Sequence, residues 1–265
     1  MNEALLRIMV LAAAAVQIIA PGFLNPFRDG QNALRISEPS QIEPAAYAFT
    51  IWGPIYLLAL GYAIWQLTPA GRLDPATAKI APFAIILYIG STVWLAAAKY
   101  GPLWATMPIL AVMTLCACLA LLAAVYSPNP AAWRPWIVTL PFAIYTGWTC
   151  CATFVNIAEV APGYGFGRFG LSVPGYAILS LAAAALLASI MLWLSAGQLA
   201  FAGTVVWALV AIIAAAATRG AATSVTVTAA IAIVVVLAMT AVSRRFGPEH
   251  AVSVAAPEAL ADQSV

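Results

Sequence analysis

Large aromatic side chains at helical spacing are the residues of this sequence that could do chemistry. Trp52 and Tyr56 are four residues apart and Trp148 and Asn156 are eight apart, so each pair shares one face of a helix. Trp and Tyr rings offer wide flat surfaces with a single N–H or O–H donor. This combination predicts a mostly apolar cavity that grips a planar ligand through a few polar groups. The predicted ligand-binding residues are Trp52, Tyr56, Trp94, Tyr145, Trp148 and Asn156.

The same residues also have a simpler explanation as helix-packing side chains. Any one ring could pack helix against helix, and the partner that an intramembrane Asn156 needs could be another helix instead of a ligand. Two features favour a cavity for the group as a whole. The aromatics concentrate in three apolar segments, and two of these segments contain Pro54 and Pro141, which are expected to bend them. Such bends are also common in membrane bundles, so both explanations stay open.

Charged residues are missing where ion-coupled chemistry would need them. The interiors of the apolar segments contain no Asp, Glu, Lys, Arg or His. A charge at the bilayer centre costs about 2.5–3.5 kcal/mol on insertion scales, so it is retained only for function. The single histidine, His250, lies in the C-terminal tail, which argues against haem ligation by histidine, hydrolytic triads and two-metal sites. We therefore predict no catalytic residue, no metal site and no certain cofactor; a bound tetrapyrrole would be held by stacking and shape.

Two further groups have structural explanations. Glu159 ends an apolar segment, where we expect its carboxylate to be solvated. The four cysteines lie inside apolar runs with spacings that match no zinc signature. We expect them to be small, buried, unreactive side chains; they are Cys116, Cys118, Cys150 and Cys151.

Composition decides the class of protein. The chain is 64% hydrophobic and only 8% charged, about a third of the charged share of soluble domains. A bilayer span needs roughly 20 apolar residues, and the chain contains several runs of that length. These runs are too uniform for the alternating strands of a barrel. We predict an all-α, polytopic membrane bundle of about eight helices. The predicted spans are 4–24, 46–68, 79–99, 102–126, 134–159, 172–195, 198–217 and 222–243.

The connecting segments predict a loop over the bundle, and their basic residues favour one orientation in the membrane. Residues 25–45 mix apolar and charged side chains, and we expect them to fold over one mouth of the bundle. The GFGRFG stretch within 160–171 is formally a G-x-G-x-x-G, but it joins two spans without the strand that a dinucleotide site needs, so we expect a turn. No basic cluster indicates a nucleic-acid partner. Six basic residues on the side of the termini against five on the other favour cytoplasmic termini.

At these residues the chain resembles the TspO/MBR family of tryptophan-rich sensory proteins, related to the mitochondrial translocator protein. It looks most like a longer, divergent branch with extra C-terminal helices. The second-helix motif is matched by Pro44, Tyr47, Phe49, Trp52, Gly53 and Tyr56, with the glycine after the tryptophan. In the third helix Ser91 replaces the family's Asn before Trp94. The fifth helix matches through Leu140, Pro141, Trp148, Ala152, Thr153 and Asn156, with the proline three residues further upstream.

The resemblance implies an organisation of the chain. It implies a five-helix transmembrane module over 1–160 that encloses a cavity, with the first loop as its lid. A Gly-rich loop then covers 161–171, three additional helices cover 172–245, and a disordered tail covers 246–265. The resemblance is carried by residues 1–160, while VWALVAII at 206–213 looks like the longer branch. From composition alone, the three additional helices are expected to serve packing only.

The resemblance also implies a function. Family ligands are tetrapyrroles such as porphyrins and haem, and sterols in eukaryotic relatives; a porphyrin-degrading activity has been proposed for some members. We therefore expect a membrane receptor or sensor, in a bacterial inner membrane, that binds a hydrophobic planar ligand and is not an enzyme. The alternatives are a transporter of a small neutral or lipidic solute without ion coupling, a membrane enzyme using Trp radicals or light, and a subunit of a larger complex. A homodimer is a further candidate assembly.

Overall fold

The computed structural model describes residues 2–24, 40–127, 131 and 133–248, and the regular elements in this part of the chain are all helical. Eight of its helices are long and apolar enough to cross a membrane. The predicted all-α polytopic bundle is therefore confirmed. The first part of the predicted loop, residues 25–39, and the tail from residue 249, including His250, lie outside the described residues.

The helices follow the predicted spans closely, with one short helix added between the second and third spans. They are α1 (Glu3–Leu24), α2 (Trp52–Trp65), the short α3 (Pro69–Leu73), α4 (Pro75–Tyr100), α5 (Thr106–Val125), α6 (Leu140–Val160), α7 (Val173–Leu194), α8 (Leu199–Arg219) and α9 (Thr223–Phe246). A 3₁₀ segment, Ala46–Ile51, leads into α2, and a π turn, Pro135–Thr139, leads into α6.

The two prolines expected to bend spans both lie in the first turn of an α-helix. Pro54 is the third residue of α2 and Pro141 is the second residue of α6. In the first turn of an α-helix the missing N–H of proline removes no i→i−4 hydrogen bond. The helix type also changes just before each proline, from 3₁₀ to α before Pro54 and from π to α before Pro141.

Helix α6 is the centre of the bundle and its most buried span. It packs against α2 and α5 on the N-terminal part of the chain and against α7 and α8 on the C-terminal part. Helix α4 packs between α1 and α5, while α9 packs on α7 and α8. A cavity wall that α6 contributes is consequently supported from both parts of the chain.

Polar side chains are concentrated at the membrane face where α1 begins and α9 ends, here called the terminal face. Asp74 accepts a hydrogen bond from Arg134 Nε at 2.8 Å, and both side chains are almost fully buried. Arg134 also donates to the carbonyl of Ala124 at 2.9 Å. Arg7 and Gln66 exchange two bonds, each side chain donating to the other's carbonyl, at 3.0 and 3.1 Å. These contacts close the bundle at this face.

The glycine-rich segment between α6 and α7 forms a turn, as predicted. A 3₁₀ turn at Ala161–Tyr164 is followed by Gly165, Gly167 and Gly170, all with positive φ. Glycine adopts this backbone region without steric cost. The opposite membrane face, where this turn lies, is called the loop face below.

Candidate functional site

An aromatic cavity lies in the loop-face half of the bundle, enclosed by α2, α4, α5, α6, α8 and the segment before α2. Its volume is about 70 Å³. An engineered apolar cavity of about 150 Å³ is enough to bind benzene. In this conformation the cavity is therefore smaller than one that holds benzene, and a planar ligand would have to displace its walls.

Trp52 is the ring that connects the aromatic wall. Its ring lies 5.3 Å from that of Tyr56, one turn further along α2, with the planes tilted by 34°. It meets the Trp148 ring edge-to-face at 6.0 Å, and the Phe49 ring also meets Trp148 edge-to-face, at 5.9 Å. Edge-to-face pairs at these distances add about 0.5–1.5 kcal/mol beyond the burial of area. The rings therefore hold one another in place on the cavity wall.

Five of the six residues predicted from the sequence line this one cavity: Trp52, Tyr56, Trp94, Trp148 and Asn156. The sixth, Tyr145, lies behind the wall. Its ring meets Trp52 edge-to-face at 6.0 Å, and its hydroxyl donates to Gln17 Oε1 at 3.2 Å. Tyr145 therefore supports the Trp52 ring from the interior of the bundle.

Asn156 finds its hydrogen-bonding partners on neighbouring helices. Trp94 Nε1 donates to Asn156 Oδ1 at 3.3 Å, and Asn156 Nδ2 donates to Thr106 Oγ1 at 3.1 Å. These bonds tie α4, α5 and α6 together at the depth of the cavity. The amide thus fixes the orientation of the Trp94 ring.

Two wall residues differ in how their polar atoms are satisfied. The Tyr56 hydroxyl shares a hydrogen bond with Ser91 Oγ at 3.1 Å, so the serine that replaces the resembled family's Asn has its own partner. The Trp148 indole, only 3% exposed, has no hydrogen-bond partner for Nε1 within the described part of the chain. A buried donor without a partner is costly. Trp148 is therefore a buried wall residue whose donor is left for an acceptor outside the described residues.

The expectation that the Glu159 carboxylate is solvated is wrong. Its side chain is buried, 4% exposed, and lines the cavity instead of reaching water. Its Oε2 accepts a hydrogen bond from the backbone N–H of Ser40 at 3.2 Å. The segment that begins at Ser40 covers the end of α6, a contact between residues 119 positions apart that spacing along the chain does not reveal.

Helix α8 contributes to the cavity, although composition indicated packing helices only. Ala208 and Ile212 line the cavity. At the crossing of α6 and α8 a Cβ on Gly147 would lie 2.8 Å from the Phe201 carbonyl oxygen, so only glycine permits this approach. Small apolar residues carry no chemical signal of their own, which explains why the sequence did not single them out.

The segment Ser40–Ile51 is fastened to α8 and the start of α9. Four contacts make the fastening: Ala45 N–H donates to the Ala211 carbonyl (3.0 Å), Trp207 Nε1 to the Ala48 carbonyl (3.3 Å), Ala222 N–H to Gln41 Oε1 (3.1 Å), and Arg219 pairs with Glu43 at 2.9 Å. We call this set of contacts the clasp. It places Glu43, Pro44 and Phe49 at the cavity, and Trp207 and Arg219 are the two side chains whose types could have signalled it.

Metal ligation has no evident site here. Among residues 2–24, 40–127 and 133–248, no group of three or more His, Cys, Asp or Glu side chains is placed to hold a metal ion. The four cysteines are free and buried, the location predicted for them. The chemical resources of the cavity are thus aromatic faces, one buried indole N–H, and the carboxylates of Glu43 and Glu159 at its loop-face end.

The comparisons with known proteins agree with this architecture. A family model described as TSPO-like protein matches residues 4–242, from the start of α1 nearly to the end of α9. The match therefore extends past residue 160 and takes in α7, α8 and α9. No curated protein and no solved structure matches the chain significantly. With a family match over most of its length and eight membrane-crossing helices, the chain belongs to the TSPO-like protein family and is an integral, multi-pass membrane protein.

Proposed function

We propose that this protein is a membrane receptor or sensor that binds a planar, hydrophobic, tetrapyrrole-like ligand in the aromatic cavity. The observation that carries the proposal is the Trp148 indole, whose N–H is buried without a partner among the described residues, in a wall of edge-to-face rings. A ligand that places an acceptor atom against this N–H while its flat face covers the rings satisfies both features at once.

The residues predicted from the sequence take distinct roles in this proposal. Trp52, Tyr56, Trp94 and Trp148 supply ring faces, and Trp148 also supplies the hydrogen bond to the ligand. Asn156 was expected to be the polar group that contacts the ligand; its bonds to Trp94 and Thr106 support a positioning role instead. Tyr145 is assigned to the support of Trp52.

The size of the ligand requires the cavity to open. A volume of about 70 Å³ is smaller than the space that benzene needs, so a tetrapyrrole must separate the walls. The segment Ser40–Ile51 is the part of the wall that is not a long helix, and it is held to α8 by the polar contacts of the clasp and by the edge-to-face contact of Tyr47 with Trp207 at 5.2 Å. We therefore assign ligand entry to the loop face, with the segment Ser40–Ile51 moving away from α8.

The location in the cell is part of the same proposal. A bacterial inner membrane with cytoplasmic termini follows from the family resemblance and from the small excess of basic residues on the terminal face. In that orientation the cavity, at the loop face, would be entered from the periplasmic side. Labelling of single cysteines with an impermeant thiol reagent in intact cells, at position 2 and at position 221, tests the orientation.

The binding proposal is tested by quenching of Trp fluorescence. Titration of the purified protein with protoporphyrin should quench emission with saturable affinity, and Trp52→Ala combined with Trp148→Ala should abolish saturable quenching. Trp193→Phe is the matched control, because it removes an indole on α7 that does not line the cavity. Unchanged affinity in the double variant would refute the site; flux of a neutral solute into liposomes without any porphyrin binding would favour a transporter.

The hydrogen bond from Trp148 gives a sharper test. Trp148→Phe keeps a ring but removes the N–H, so we expect affinity for protoporphyrin to fall by about 2–12-fold, the range for one net hydrogen bond of about 0.5–1.5 kcal/mol. Affinity for a flat hydrocarbon without acceptor atoms, such as pyrene, should be unchanged. Equal losses for both ligands would show that the indole N–H does not contact the ligand.

Weakening the clasp should accelerate ligand exchange. Arg219→Gln removes the ion pair with Glu43, and partly exposed pairs contribute about 0.2–1 kcal/mol. We expect association and dissociation rates in stopped-flow quenching to rise together by up to about fivefold, with little change in Kd. Arg245→Gln, at the terminal face, is the control. A change in Kd without a change in rates would argue against entry past the clasp.

A further inference from the structure

A second group of polar atoms lies deeper in the bundle than the aromatic cavity and does not line it. Gln17 on α1, Tyr62 on α2 and Tyr88 on α4 are fully buried, each with 0% exposure. Gln17 Nε2 and the hydroxyls of Tyr62 and Tyr88 have no hydrogen-bond partner in the part of the chain that the structure describes. Three unpartnered polar groups from three helices are unusual, because buried polar side chains in proteins are nearly always bonded.

These three residues belong to one cluster. Tyr145 connects two of them: its hydroxyl donates to Gln17 Oε1 at 3.2 Å, and its ring stacks on Tyr88 at 6.1 Å with the planes 26° apart. Tyr62 joins the cluster through α6, because its ring packs on Phe142, which lies three residues before Tyr145 on that helix. The Tyr62 ring is held edge-to-face against Phe142 at 4.9 Å. The cluster thus has a rigid aromatic frame with its polar atoms inside.

The chemistry of the cluster specifies what it can bind. Gln17 Nε2 can only donate a hydrogen bond, whereas each tyrosine hydroxyl can donate or accept. An apolar molecule would leave all three groups unsatisfied. None of the three members is charged, and the charged side chains of Arg7, Asp74 and Arg134 make hydrogen bonds at the terminal face, so the cluster offers no net charge for an ion. A small neutral molecule that both donates and accepts fits all three partners.

We propose that Gln17, Tyr62 and Tyr88 form an internal hydration site, which binds water between α1, α2 and α4. Buried water typically makes about three hydrogen bonds to polar groups that would otherwise be unsatisfied, and it is costly to remove. The site lies between the aromatic cavity and the polar contacts of the terminal face. Tyr145 touches both sites, because it bonds to Gln17 and packs against Trp52.

Water-edited solid-state NMR on the full chain in liposomes tests this proposal directly. With ring-¹³C tyrosine, the signals of Tyr62 and Tyr88 are assigned by their disappearance in Tyr62→Phe and Tyr88→Phe. Magnetisation should pass from water to both rings within milliseconds. If magnetisation fails to reach either one of the two rings, the proposal is overturned. Once the signals are assigned, this measurement needs only the wild-type protein.

Thermal unfolding gives an independent test, because the two cases differ in sign. If water bridges the hydroxyls, Tyr62→Phe and Tyr88→Phe each break a bond and should lower Tm by about 2–4 °C. If the site is dry, each change removes an unpaired buried hydroxyl and Tm should rise, which contradicts the proposal. Tyr100→Phe, at the exposed end of α4, is the control and should leave Tm unchanged.

Discussion

Asp74→Ala is expected to destabilise the protein by about 3–5 kcal/mol, the usual cost of removing one partner from a buried ion pair. The change leaves the Arg134 guanidinium, 5% exposed, with the Ala124 carbonyl but without its counter-charge. It also removes the carboxylate that caps α4, where Asp74 Oδ1 accepts from the Ala76 N–H at 2.9 Å. Unfolding by SDS in detergent micelles, followed by circular dichroism, measures the loss.

Two further variants separate the causes of that loss. Asp74→Asn keeps a capping oxygen but removes the charge and the Oδ2 acceptor of Arg134, so the difference from Asp74→Ala gives the contribution of the cap, about 0.5–2 kcal/mol. Glu3→Ala is the control, because Glu3 is an exposed partner of Arg7 and should contribute less than about 1 kcal/mol. A loss below 1 kcal/mol for Asp74→Ala would mean that water reaches Arg134.

Gly147→Ala is expected to weaken folding by about 1–3 kcal/mol and to weaken ligand binding together with it. The added Cβ would lie 2.8 Å from the Phe201 carbonyl oxygen and 2.8 Å from Thr204 Cβ, so α8 has to move away from α6. Trp148 is the next residue on α6, and Ala208 and Ile212 move with α8, so two walls of the cavity shift. SDS unfolding and protoporphyrin titration measure the two effects.

Gly203→Ala is the matched control on the facing helix. Nothing lies within 4 Å of a Cβ added there, so the change should be neutral or stabilise α8 by up to about 1 kcal/mol. If Gly147→Ala behaves like Gly203→Ala, the close approach of α6 and α8 is not required. If it reduces stability but leaves ligand affinity intact, α8 is not part of the binding wall.

The helices and the aromatic pairs were predictable from the sequence for a physical reason. In lipid each backbone polar group must be bonded within its own helix, so a long apolar run is sufficient to define a span. Within a span the helical period places Trp52 beside Tyr56, and the structure has these rings 5.3 Å apart. The family assignment, carried by motifs in the second and fifth spans, is confirmed over residues 4–242.

The contacts that complete the cavity could not be predicted, because they join residues distant in the chain. Glu159 ends a span, and its burial depends on contacts such as the hydrogen bond from the backbone N–H of Ser40, in the first loop. Ala208 and Ile212 have side chains that occur on any membrane helix, so their role depends on where α8 lies. Asp74 and Arg134 each precede a helix, and their pairing across 60 residues is a property of the assembled bundle.

The place of α8 in the cavity wall decides what the smallest functional unit is. A chain cut after α6 would retain most of the aromatic rings but would lose Ala208, Ile212 and the anchor of the segment Ser40–Ile51. The open side would face lipid, and acyl chains would compete with any ligand for the ring faces. Under the binding proposal, the last three helices exclude lipid from the site, and the autonomous binding unit is the whole eight-helix bundle.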